Sequence, residues 1–224
     1  MKKILVCVDR DGTLIYDNKY HLGRTDDWKS KIEILPTVIE GLRLLRTLPD
    51  VAIYIITNQP GVTIREFPLL TLDRAHEVNR YVLTQIAKMG GQIDGYFLCP
   101  HANLQYVKKK TNYNFDEKMV CDCECEKPKS GMVFDALKAE GLTREETIIY
   151  VIGDRSSDVE TGLNINGTGI LIPSENEPRH FEKIKELDQT NVYIARDFLD
   201  AAQFIVDQNK SKKDTRQNTN MRRV

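Results

Sequence analysis

The groupings in this chain that could do chemistry fall at the ends of short apolar runs. Asp9-Arg10-Asp11-Gly12-Thr13 follows the run at 4–8, and Thr57-Asn58-Gln59 follows 51–56. Cys99-Pro100-His101 closes the run at 96–99, and Gly153-Asp154, with Asp158 nearby, follows 148–152. Asp9 and Asp11 stand two residues apart, and close like charges resist joint ionisation. A divalent cation relieves that repulsion, and Mg2+ takes one or two carboxylates together with waters and phosphate oxygens. Gly12 lets the backbone turn sharply beneath the acids. The hydroxyl of Thr57, the amide of Asn58 and the ammonium of Lys127 complete a set able to hold a phosphoryl group beside that cation. Singly, each has a plainer reading. Asp or Asn after a strand is commonly a turn or cap residue, and Asp158 has the position of a first-turn acid that favours the helix dipole. Asp9 and Asp11 together, with matching groups at two other strand ends, point to a site.

Thiols form the second grouping. Of five cysteines, three alternate in Val120-Cys121-Asp122-Cys123-Glu124-Cys125-Glu126-Lys127-Pro128. With Cys99 and His101 they offer a Cys3His set, which favours tetrahedral Zn2+. Four protein ligands leave no open position, as in a structural zinc. Unliganded thiols or a redox pair are the alternative. Cys7, inside the first run, reads as a small buried hydrophobe.

These positions need a scaffold. Further apolar runs lie at 169–172 and 192–195, and amphipathic stretches separate the runs: Val38, Leu42, Leu45 and Leu48 share one face, Val78, Val82 and Ile86 another, and Val133 with Leu137 begin a third before Gly141. Strands alternating with helices predict an α/β fold with a doubly wound parallel sheet, and such sheets bind ligands outside the carboxyl ends of their strands. One domain is expected over 1–208, with a zinc-binding loop at about 99–125. The stretches 16–32 and 102–119 are long for loops, which in compact domains are functional or flexible. His21 in the first is a candidate substrate contact, and Trp28 there reads as packing or as a ligand cover. Residues 209–224 are polar and basic, the composition of a disordered tail.

Apolar residues make up 41% of the 224 and charged residues 29%, enough to bury a core. The formal net charge of -1 creates no field for nucleic acid or an anionic membrane, and neither is an expected partner. No apolar run has the length of a bilayer span, and the opening run stops at Asp9, too soon for a signal segment. A cytoplasmic location and a monomer are expected, and the odd cysteine count argues against a disulfide framework.

In order along the chain, Asp9-Arg10-Asp11-Gly12-Thr13, Thr57-Asn58, Lys127 and Gly153-Asp154 with Asp158 resemble the four motifs of the haloacid dehalogenase (HAD) superfamily of aspartyl-phosphate phosphotransferases, over about residues 4–175. Thr-Asn-Gln-x-Gly, Cys-Pro-His, Cys-x-Cys-x-Lys-Pro and Gly-Asp-Arg-x-x-Asp are similar to the subgroup of D-glycero-D-manno-heptose-1,7-bisphosphate 7-phosphatases and histidinol-phosphate phosphatases. The resemblance implies a HAD-like, Rossmannoid sheet with a minimal cap. It implies Asp9 as nucleophile and Asp11 as acid and base, with Thr57, Asn58 and Lys127 on the phosphoryl oxygens. Mg2+ would be held by Asp9, the main-chain carbonyl of Asp11, and Asp154. It also implies a structural Zn2+ on Cys99, His101, Cys123 and Cys125, since the family's pair stands two and four residues before the lysine. The register Cys121 with Cys123 matches the family's Cys-Asp-Cys spelling and is the second candidate. One residue departs: Glu126 stands where the subgroup has an arginine that recognises the distal part of the substrate, and an acid is a poor partner for a second phosphate.

The expected function is therefore Mg2+-dependent hydrolysis of a small phosphorylated metabolite, a heptose bisphosphate or related sugar phosphate of carbohydrate metabolism. The alternatives are a histidinol-phosphate phosphatase, a polynucleotide 3′-phosphatase, disfavoured by the neutral charge, and a zinc-bearing interaction module with an inactive core.

Overall fold

The computed structural model describes residues 3–17, 21–174, 178–186 and 189–221. All six apolar runs are strands: β1 (Lys3–Val8), β2 (Val51–Asn58), β3 (Gly95–Cys99), β4 (Thr147–Gly153), β5 (Thr168–Leu171) and β6 (Val192–Ile194). They form one parallel sheet in the order β3-β2-β1-β4-β5-β6. Their near-continuous Val/Ile/Leu content is what burial on both faces requires. The chain runs outward from β1 to β3, then returns to the other side of β1 for β4. That reversal opens a crevice beyond the carboxyl ends of β1 and β4, the usual ligand position in such sheets. Val8 pairs with both Ile55 and Ile152, so the residues after β1, β2 and β4 emerge side by side.

Seven helices are described: α1 (Val38–Leu45), α2 (Leu72–Lys88), α3 (Leu104–Lys109), α4 (Gly131–Ala139), α5 (Ser156–Asn164), α6 (Pro178–Lys185) and α7 (Phe198–Met221). Ile4, Val6 and Val8 of β1 share a core with α1, α2 and α7, while Leu5 and Cys7 face α4 on the opposite side. Val78, Val82 and Ile86 bury the sheet-facing stripe of α2, and each such burial contributes roughly 1.5–3 kcal/mol. α2 starts where the Thr71 hydroxyl accepts from the amide of Arg74 at 3.2 Å.

The two long loops are built, not loose. The first contains a 3-10 turn at Asp26–Lys31 that buries Trp28 edge-on against Tyr81 of α2. Trp28 therefore packs into the core and does not line the cavity described below; residues 18–20 of this loop lie outside the described residues. The second contains α3 and is fastened by bridges from Ile64 to Phe115 and from Ala102 to Val120. α7 continues as helix to Met221 through the stretch whose composition predicts disorder, although its buried apolar stripe ends at Val206; residues 222–224 lie outside the described residues. Among the described residues no helix is long and apolar enough to cross a membrane.

Candidate active site

Lys127 stands at the centre. It is buried, and its ammonium donates to Asp9 Oδ1 at 2.5 Å, Asp158 Oδ1 at 2.6 Å and the Ile56 carbonyl at 3.0 Å. Burial pulls its pKa down, but the charges of Asp158 and Asp9 outweigh that and push it above the usual lysine range. The segment is held from β2 as well: Asn58 Oδ1 accepts from the Lys127 amide at 3.0 Å and Asn58 Nδ2 donates to its carbonyl at 3.2 Å. The two oxygens of Asp158 are used separately. Oδ1 pairs with Lys127, while Oδ2 accepts from the Arg155 amide at 3.0 Å and caps α5.

Asp11 is held by a clamp that the motifs did not indicate. Arg10, fully buried, donates Nη2 to Asp11 Oδ2 at 2.8 Å and Nε to Oδ1 at 3.1 Å. Its Nη1 donates to Asn79 Oδ1 at 3.2 Å, and Asn79, buried on α2, is itself fixed by donating to the Ala75 carbonyl. Gln59 Nε2 donates to both Asp11 Oδ2 and Thr57 Oγ1 at 2.8 Å. Burial pushes the Asp11 carboxyl up, but Arg10 and Gln59 more than offset it and hold the group below the usual carboxylate range. The only hint in the sequence was an arginine between two acids at a strand end. Asn79, on an otherwise apolar helix face, gave none.

Asp154 lacks such support. Its Oδ1 is buried without a hydrogen bond, and the nearest cation is Arg155 Nε at 3.9 Å. Burial, with Asp9 and Asp158 beside it, pushes its pKa up to about 8. Asp9 rises to about 6, mainly from burial, which Lys127 opposes. Oxygens of Asp9, Asp154 and Asp158 lie within 4.8 Å of one another. An orphaned carboxylate oxygen in a cluster of hard anionic donors fits Mg2+. Asp11 is outside this trio, its carboxylate turned to Arg10 and Gln59. Gly12 has φ +85°, and a methyl group there would collide with the Asp154 carboxylate.

Beyond β3, Cys99, His101, Cys123 and Cys125 also come within 4.8 Å of one another. The three sulfurs lie 3.1 to 3.5 Å from one another, and His101 Nδ1 lies 3.8 Å from Cys99 and 3.3 Å from Cys125, near the edge of about 3.8 Å that thiolates at about 2.3 Å from one zinc would have. Burial and neighbouring thiols push Cys99 up, and burial foremost takes Cys125 to about 11; a metal would bind both as thiolates. Cys121 lies outside the quartet. Cys7 is fully buried between β1 and α4, its thiol pushed up to about 12 by burial.

Asp9, Asp11, Asn58, Lys127 and Asp158 open onto one cavity of about 640 Å3. His21 lines it too, its pKa lowered by burial and by Lys110 and Arg24. Thr57 is buried beneath Gln59 and does not line it.

A family model described as HAD-hydrolase-like matches residues 124–201, which include Lys127, Asp154 and Asp158. The histidine biosynthesis bifunctional protein HisB of Buchnera aphidicola is 32% identical over 76% of this chain, which spans 41% of that protein. The D-glycero-alpha-D-manno-heptose-1,7-bisphosphate 7-phosphatase of Campylobacter jejuni is 29% identical over 84% of this chain and 95% of its own. The D,D-heptose 1,7-bisphosphate phosphatase of B. bronchiseptica, solved with magnesium and phosphate, superposes with a TM-score of 0.68 at 20% identity, covering 93% of this chain and 99% of that one.

Proposed function

We propose that this chain hydrolyses a small phosphomonoester through an aspartyl-phosphate intermediate. The observation that carries the reading is Asp9, buried at the end of β1 with Lys127 at 2.5 Å, facing a cavity wide enough for a phosphorylated metabolite. Asp9 attacks phosphorus, forming the acyl phosphate as the bond to the leaving oxygen breaks. Asp11 gives that oxygen a proton, then takes one from the water that attacks phosphorus and frees Asp9. Lys127 and Asn58 face the phosphoryl oxygens, and Thr57 acts from below by orienting Gln59; in so loose a transition state, position and charge neutralisation supply most of the rate. Mg2+, which Asp9, Asp154 and the main-chain carbonyl of Asp11 would hold, supplies Lewis-acid charge neutralisation when bound. The Cys99, His101, Cys123 and Cys125 quartet is proposed as a structural zinc site.

The substrate class favoured by the relatives is a heptose bisphosphate or a related sugar phosphate. Histidinol phosphate is the second reading, supported by the similarity to HisB. The test is Asp9→Asn, which should abolish phosphate release from p-nitrophenyl phosphate with the melting curve unchanged. Wild-type rates from that variant would overturn the nucleophile, and parallel assays on the two substrates decide between the readings.

A further inference from the structure

On the cavity floor the charges pair off. Lys127 serves Asp9 and Asp158, Arg10 serves Asp11, and Arg155 reaches Asp17 at 2.9 Å. The pairing stops at the end of α3. Lys109 and Lys110 line the same cavity, and among the described residues neither has a carboxylate within ion-pair distance. Two adjacent cations facing one hollow repel each other until an anion enters.

α3 is held so that they face it. Asn103 caps the helix by accepting from the Tyr106 amide at 2.8 Å, and its own amide donates to Glu126 Oε1 at 2.7 Å. Glu126 does not line the cavity. It is the residue before Lys127, so one hydrogen bond couples the element that carries the two lysines to the segment that grips the phosphoryl group. The far end of the loop is fastened too, since Asn114 Nδ2 donates to Glu66 at 2.7 Å and its carbonyl accepts from the Arg65 amide at 2.9 Å.

We propose that Lys109 and Lys110 recognise a second anionic group of the substrate, remote from the phosphoryl group that is removed, and that Glu126, through Asn103, sets the distance between the two. Position 126 thereby positions the distal site instead of touching the ligand. This rests on the phosphatase reading above. The test measures inhibition of p-nitrophenyl phosphate hydrolysis by glucose 1,6-bisphosphate and by glucose 6-phosphate, in the wild type and in Lys109→Ala/Lys110→Ala. The wild type should bind the bisphosphate about tenfold more tightly, the scale of one charge-assisted contact. The double variant should lose that difference while its kcat on p-nitrophenyl phosphate stays within about twofold, since the lost contact is one of binding. Glu126→Gln, which keeps the acceptor for Asn103, should retain the preference, and Glu126→Ala should weaken it. A wild type without preference, or a preference that survives in the double variant, overturns the proposal. A wild type that releases no phosphate from p-nitrophenyl phosphate overturns the phosphatase reading instead.

Discussion

Lys127 neutralises two buried carboxylates at once, and neither has another cation as close. Breaking a buried pair by removing one partner costs about 3–5 kcal/mol, because the remaining charge is uncompensated. Lys127→Met is therefore expected to lower unfolding stability in urea by that order, in addition to abolishing turnover. A variant as stable as the wild type would mean that Asp9 and Asp158 are neutralised another way. Asp9 and Asp154 add a pH dependence. Their pKa values, about 6 and about 8 in the folded chain, both lie above the ordinary 3.8. The folded state then holds more protons than the unfolded state from pH about 4 to about 8, so these groups make stability fall as pH rises through that window. Without divalent cation, Tm should be higher at pH 5.5 than at pH 8. Added Mg2+ should raise it more at pH 8, because cation and proton compete for the same oxygens. Equal increments at both pH values would contradict an acid-lined cation site.

At the scale of elements, the segment from β3 to α4 carries the quartet proposed to hold zinc, α3 and Lys127. The purified protein is expected to contain about one equivalent of zinc, as a closed four-ligand site demands. Cys125→Ser should lose the metal and melt at lower temperature; zinc below about half an equivalent in the wild type, purified without chelators, would refute the site. This segment also marks the limit of what the sequence disclosed. Acids and thiols at strand ends were legible because a parallel sheet gathers the carboxyl ends of its strands, so residues far apart in the chain become neighbours by topology alone. The Arg10–Asn79 and Asn103–Glu126 contacts were not legible. Each depends on how a helix sits against a loop, and neither side chain breaks the periodicity that reveals an element. Glu126 illustrates the difference: its type argued against contact with an anion, while its hydrogen bond with Asn103 required the position of α3.

For the molecule as a whole, the six strands and their parallel pairing followed from alternation of apolar runs with amphipathic stretches, whereas the order β3-β2-β1-β4-β5-β6 did not. The pairing of α1 with α7, from opposite ends of the sheet segment, carried no local signal. Burial in α7 reaches Val206, and Asn209 adds a hydrogen bond from Nδ2 to the Tyr150 hydroxyl at 2.9 Å. A chain truncated after Lys210 is thus expected to keep its urea midpoint and its activity, while truncation before Ala201 should unfold it by uncovering the face of α1. Loss of stability in the first truncation would show that the remaining helix contributes to the fold.

The quartet of Cys99, His101, Cys123 and Cys125 has a consequence beyond the metal proposed for it. Its two halves flank residues 102–122, so that stretch begins and ends at nearly the same point in space, while Lys127 lies outside it. Such a closed circuit tolerates changes of length cheaply, since doubling a loop costs only about 0.6 kcal/mol in closure entropy. The stretch is in effect an exchangeable cartridge. Another sequence seated between the same four ligands would present a different wall to the cavity, leaving the hydrolytic machinery where it stands.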